Sequence, residues 1–181
     1  MTIDEFWEHI RATKRTDPDA HVERLVKRLV KLPPDEILDF EHWWNESRAE
    51  AYRWDLWGAA YVINGGCSDD GFIDFRSWLL LQGREVFQAA LANPDSLADL
   101  DVEEDEASCE CYPAASAWFQ ATGSDHDYEA LNAAREARHP KTQEALARGA
   151  PEPAGENWDF DDDSQTRKRL PRLAAMYLDR D

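Results

Sequence analysis

Apolar residues recur three and four positions apart along most of this chain, the spacing of one face of a helix. Ile3, Phe6, Trp7 and Ile10 form the first stripe, and Thr2 with Glu5 has the spacing of a capping box at its start. Asp17-Pro18 predicts a second helix start, with Val22, Leu25, Val26 and Leu29 on one face. Pro33-Pro34 breaks that helix and opens another, in which Ile37, Phe40 and Trp44 continue the period beside Leu38 and Trp43. The next helix is predicted from about Glu50 to Asn64, with Trp54, Trp57, Gly58 and Tyr61 on a shared face. Gly58, Ala59 and Ala60 suit close approach by another helix. Gly65-Gly66 should end this element, because one glycine can take the left-handed conformation of a helix terminus.

Ser68 or Asp69 can cap the following helix, whose inner stripe is Phe72, Phe75 and Leu79. Gly83 interrupts before Val86, Phe87, Ala90 and Leu91, and Asn93-Pro94-Asp95 marks a turn. Residues 95–109 read as an acidic, solvated loop open to disorder, carrying Asp95, Asp99, Asp101, Glu103, Glu104, Asp105 and Glu106. Helical spacing returns at Ala114, Ala115, Trp118 and Phe119, ended by Gly123, and again at Tyr128, Leu131 and Ala134, ended near His139-Pro140. Residues 149–158 read as a Pro/Gly loop. The last helix holds Leu170, Leu173, Ala174 and Tyr177, with Pro171 either kinking it or opening its final stretch. No segment alternates convincingly with period two, since β-prone Tyr61-Val62-Ile63 is short and sits inside a helical pattern. The expected fold class is mainly α: one domain over residues 1–181, a compact helical bundle with irregular acidic loops.

Composition narrows the partners more than the fold. The 181 residues carry 38 Asp and Glu against 20 Lys and Arg, a formal net charge of −18. Such a balance repels phosphate backbones and anionic membrane surfaces, and it favours basic proteins, basic peptides and cationic small molecules. The bland reading is that acidity serves solubility. Eight Trp and 11% aromatic residues belong to a folded chain, and leave room for an aromatic interface, though the oligomeric state is not fixed by the sequence. No apolar run approaches the ~20 residues of a membrane span. The N-terminus has no basic-then-apolar leader pattern, and three cysteines do not make a disulfide scaffold. A cytoplasmic location is expected.

The densest segment runs from Trp54 to Arg84. Its runs Trp54-Asp55-Leu56-Trp57-Gly58-Ala59-Ala60, Gly65-Gly66-Cys67-Ser68-Asp69-Asp70-Gly71-Phe72 and Phe75-Arg76-Ser77-Trp78-Leu79, with Gln82-Gly83-Arg84, resemble the signature of a bacterial domain-of-unknown-function family, number 4240. Phe6-Trp7 and Leu170-Pro171-Arg172-Leu173 look similar to that family's ends. The resemblance implies kinship and brings no activity, substrate or catalytic residue.

Candidate chemistry gathers in the same segment. Cys67, Ser68, Asp69 and Asp70 can form a polar pocket at a helix junction, where two carboxylates hold a cation, guanidinium or amine; buried together, one of them could act as an acid. They can equally be a plain connector, with Ser68 capping and the aspartates near the helix's positive end. Asp55 and Arg76 lie in aromatic-rich helices and are expected to pair with each other, or Arg76 clamps an anion or orients Asp70 or Asp74. Asp70, Asp74 and Trp78 fall at four-residue spacing, a cation-binding wall or an exposed polar edge.

No metal site or cofactor is predicted. The five histidines make no i, i+4 pair, Cys109-Glu110-Cys111 has one spacer, and residues 159–163 lack the glycine and closing Glu of a calcium loop. Asp125-His126-Asp127 with Glu129 reads as an acidic helix start rather than a divalent-ion site. Ser68 and Cys67 are candidate nucleophiles without a Gly-x-Ser-x-Gly frame, and no dinucleotide or phosphate loop appears. Catalytic residues are therefore unassigned. Three readings stand: a binding or regulatory protein engaging a basic partner near the double glycine, a small cytosolic enzyme using carboxylates in a pocket between the central helices, or an immunity-type partner that neutralises another protein by charge.

Overall fold

The computed structural model describes residues 1–100, 102–149 and 152–179. Asp101 of the acidic segment and residues 150–151 of the Pro/Gly loop lie outside them. The α-helices in chain order are α1 (Ile3–Thr13), α2 (Pro18–Leu29), α3 (Pro34–Glu50), α4 (Trp54–Ile63), α5 (Asp69–Leu81), α6 (Arg84–Ala92), α7 (Pro113–Thr122), α8 (Tyr128–Arg138), α9 (Pro140–Ala147), α10 (Asp163–Arg169) and α11 (Pro171–Tyr177). A 3-10 helix, Pro94–Asp99, follows α6. The helical class read from the apolar periodicity holds: among the described residues there is no strand, and one isolated bridge joins Arg53 to Ala154. The contacts group into two compact units, Met1–Ala49 with Cys111–Pro151 and Glu50–Glu110 with Glu152–Asp181.

In the first unit the predicted stripes become core. Phe6, Ile10, Leu25, Leu29, Ile37 and Phe40 are fully buried, each apolar side chain contributing about 1.5–3 kcal/mol. Phe6 and Phe40 pack with ring centroids 4.9 Å apart, joining α1 to α3. The Thr2–Glu5 capping box forms as read, and Asp17 caps α2 with Pro18 in its first turn. Gly123 ends α7 in the left-handed conformation. The helix α9 had no prediction; Pro140 opens it directly after α8, where a proline at a first helical position costs no hydrogen bond.

The second unit is built on α4 and α5, and here several expectations change. The predicted helix from Glu50 begins instead at Trp54. Arg53 is extended, and the backbone N–H groups of Trp54 and Ala154 are taken by Ala154 O and Tyr52 O at 3.0 and 2.9 Å, which holds the chain out of helix. The expected acidic loop is in part ordered structure: Asn93 caps the 3-10 helix, and Asp95 and Leu97 are buried. Pro171 opens α11 rather than kinking a longer helix, with α10 as a separate element before it. The small surface at Gly58 receives the indole of Trp158 from the 149–158 loop: a β-carbon at position 58 would lie 2.3 Å from Trp158 Cζ2.

Candidate functional site

The double-glycine junction of the second unit is a hydrogen-bonded corner between α4 and α5. Gly65 and Gly66 have φ of +62° and +137°, values that side-chain-bearing residues rarely adopt. The Gly66 N–H reaches back to Tyr61 O at 2.9 Å and closes α4. Ser68 then caps α5, its hydroxyl accepting from Gly71 N at 3.1 Å. Trp57 of α4 stacks on Phe72 of α5 at 4.8 Å and ties the two helices together, while Trp54 stacks on Trp57 within α4 at 5.3 Å and Phe75 packs on Trp78 within α5 at 5.6 Å. Such pairs contribute about 0.5–1.5 kcal/mol each beyond area burial. Trp57 also donates its indole N–H to Cys67 O at 3.0 Å, so the corner is hydrogen-bonded as well as packed.

The carboxylates stand on the outside of this corner. Ser68, Asp69 and Asp70 are exposed, at the positive end of α5. They are thus not the buried pair that acid catalysis would need. Asp74 is half-buried, and its backbone carbonyl accepts from Cys109 N at 3.2 Å. Trp78 is core, so the four-residue wall of Asp70, Asp74 and Trp78 runs from solvent to interior.

The expected Asp55–Arg76 bridge does not form. Asp55 takes both forks of Arg53, at 3.1 and 3.0 Å, and also accepts from Leu56 N at 2.9 Å. A partner two residues away in sequence satisfies the charge locally. Arg76 is buried, with its guanidinium 4.8 Å from the Tyr52 centroid and 5.0 Å from that of Phe72, and its Nε donating to Phe72 O at 3.2 Å.

Burial and the nearby Asp74 push the Cys67 thiol up to about 11, so it stays protonated at neutral pH and makes a poor nucleophile.

The acidic segment is drawn onto the same corner. Asn64, the C-cap of α4, clamps Ala107 twice: its amide N donates to Ala107 O at 3.2 Å and its amide O accepts from Ala107 N at 3.1 Å. Asp105 N donates to Ile63 O at 3.2 Å, and a β-carbon at Gly65 would lie 3.3 Å from Glu104 Oε1. Glu103, Glu104, Asp105 and Glu106 are exposed and make no ion pair among the described residues. From Glu50 to Glu110 the chain carries fourteen carboxylates and three arginines.

A polar cluster in the first unit escaped sequence reasoning. Asp39, on α3, accepts from Arg138 Nε and Nη2 at 2.9 and 3.0 Å, from the Met1 ammonium at 2.7 Å, and pairs with His139 Nε2 at 2.9 Å. His139 stacks on His42 at 4.5 Å, and His42 Nδ1 meets Thr142 Oγ1 at 2.8 Å. Glu41 pairs with Arg135. Burial alone would raise the Asp39 carboxyl, but hydrogen bonds from three partners, Arg138, the Met1 ammonium and His139, outweigh it and hold the group well below the usual carboxylate range. The one local signal was a carboxylate between core residues Leu38 and Phe40; its partners lie 38 positions away at Met1 and 99 and 100 away at Arg138 and His139. The cluster is closely packed and reads as a structural clasp of α3 to α8 and α9. Among the described residues no group of three or more His, Cys, Asp or Glu is arranged to hold a metal ion.

Fold and corner together define an acidic, helical protein whose second unit carries a Gly-Gly turn between two aromatic-rich helices. Residues 1–136 match the family model described as a protein of unknown function, DUF4240, and the chain belongs to that family. The matched span contains the whole Trp54–Arg84 signature and ends before the Leu170–Leu173 run. No curated protein and no solved structure matches the chain. No helix among the described residues is long and apolar enough to cross a membrane.

Proposed function

We propose that this is a cytoplasmic binding or regulatory protein whose acidic corner, centred on Gly65-Gly66, engages a basic protein or peptide. The observation that carries this reading is the Asn64–Ala107 clamp. It fixes Glu103–Glu106 beside the turn that also presents Asp69 and Asp70, so the carboxylates are held in place rather than left on a loose tail. A preorganised acidic face attracts a basic partner without the ordering cost of a mobile one. Nucleic acid and anionic membrane surfaces are disfavoured by the same charge. The odd count of three cysteines fits a reducing compartment. The enzyme reading draws less support, because Cys67 stays protonated and Asp69 and Asp70 face solvent.

A fluorescent Lys/Arg-rich peptide, titrated by anisotropy, tests it. Binding is expected at about 20 mM salt and should fade above about 0.5 M as screening shortens the reach of each charge. Replacing Glu103, Glu104, Asp105 and Glu106 by their amides should weaken it about tenfold, which corresponds to about 1.4 kcal/mol. Absence of binding at low salt, or an unchanged affinity in the amide variant, would overturn the proposal.

A further inference from the structure

The first unit carries an open cavity of about 420 Å³ between the outer side of α7 and the turn that follows it, lined by Ser116, Phe119, Gln120, Gly123, Asp125 and His126. The volume falls within the range of small-ligand sites. Three features fix its chemistry. Phe119, itself buried, contributes to an aromatic wall: the His126 ring packs on it at 5.2 Å and the Tyr128 ring meets it edge-on at 5.0 Å, with Tyr128 59% exposed. Ser116 and Gln120, one helical turn apart, add polar groups beside it. Asp125 supplies a carboxylate that makes no ion pair among the described residues. No lysine or arginine lines the cavity, although α2, which packs against α7, carries Arg24, Lys27 and Arg28.

We infer that this cavity is a receptor for an organic cation with a short alkyl stem, of the guanidinium or alkylammonium class. An aromatic wall attracts a cation through its negative ring faces, a carboxylate completes the charge, and the serine hydroxyl and glutamine amide can accept the remaining N–H groups. An anion would meet Asp125 and find no lysine or arginine in the lining. The site is separate from the acidic corner, shares no residue with it, and stands whether or not a basic protein binds there.

The turn also sets which variant is informative. Asp125 and His126 have φ of +40° and +63°. Asparagine tolerates the left-handed region about as well as aspartate, so Asp125→Asn removes the charge and keeps the turn.

The test follows the ring-proton NMR signals of His126 and Tyr128 in the intact protein during titration with n-butylguanidinium. The uncharged n-butylurea and the anionic butyrate serve as comparison ligands. Saturable shifts are expected for the guanidinium alone. Asp125→Asn should weaken binding about fivefold, the effect of removing one partly exposed charge partner. Glu129→Gln, a neighbouring carboxylate outside the cavity, should change it less than twofold, about 0.4 kcal/mol. Equal binding of n-butylurea would reduce the cavity to an apolar groove and overturn the inference. So would shifts that never saturate, or a Glu129→Gln loss as large as that of Asp125→Asn, since either would mean bulk acidity rather than a site.

Discussion

The indole of Trp158 occupies the space that a side chain at Gly58 would need, with Cζ2 2.3 Å from the position of a β-carbon. Two effects of opposite sign meet there. Alanine in place of a mid-helix glycine ordinarily stabilises a helix by about 1 kcal/mol. Forcing a methyl group against a packed ring costs about 1–3 kcal/mol. The clash should win, because Trp158 is buried and also held edge-on by Phe160 at 4.9 Å. Gly58→Ala should therefore lower the urea midpoint. Combined with Trp158→Ala, the same change should be neutral or favourable, so the double-mutant cycle reads the contact directly. A stabilising Gly58→Ala in the wild-type background would show that the contact is not there.

Asp95 acts as a remote cap. Its carboxylate accepts from Leu173 N at 3.0 Å and from Arg172 N at 3.1 Å, at the start of α11. Asp95→Ala strands a buried backbone N–H, a loss of about 1–3 kcal/mol. Asp95→Asn keeps one acceptor and should cost less. Chemical denaturation of the two variants checks the order. Equal and negligible losses would return Asp95 to the solvated loop that its sequence neighbourhood suggests.

That case shows where the sequence stops being legible. The capping box at Thr2, the proline start of α2, the Gly-Gly stop of α4 and the Ser68 cap of α5 all depend on residues within five positions, and each forms as read. Asp95, Asp39 and Trp158 act on partners 77, 99 and 100 residues away (Arg172, Arg138 and Gly58), and no local spacing encodes those meetings. The Asp55–Arg76 expectation failed for the converse reason. Charges in apolar helices do need partners, but Arg53, two residues away, supplies the one Asp55 takes, at 3.0 Å. At the candidate site, the junction was visible in sequence and its chemistry was not, because exposure decides whether Asp69 and Asp70 are acids, ligands or surface.

The Asn64–Ala107 pair gives a prediction about order. With its amide removed, Asn64→Ala leaves both backbone groups of buried Ala107 without partners and frees the acidic segment from the corner. Hydrogen exchange at residues 103–107 should accelerate, while exchange in the core of α5 stays slow. Binding of a basic peptide should weaken even though every carboxylate is still present. Unchanged affinity with accelerated exchange would mean that charge alone, rather than its placement, attracts the partner.

Acid should weaken the fold in two stages. His9, His21 and His42 are each held below the ordinary imidazole value of 6.5, in every case chiefly by burial; Arg28 adds to it at His9 and His139 at His42. A depressed folded-state value means that the unfolded chain takes up protons first. The stability these neutral rings supply is complete above about pH 6.5 and is lost as pH falls through their lower folded values. Asp39 follows the same sign further down: its contribution persists until pH drops below the ordinary 3.8, because Arg138, the Met1 ammonium and His139 bind the ionised form. Urea midpoints should thus be level near pH 7 to 8, decline between about 6.5 and 5, and decline again below about 4. His42→Gln should blunt the first decline. Asp39→Asn should lower stability at neutral pH and blunt the second. A midpoint that rises on acidification from pH 7 to 5 would contradict the burial of these histidines.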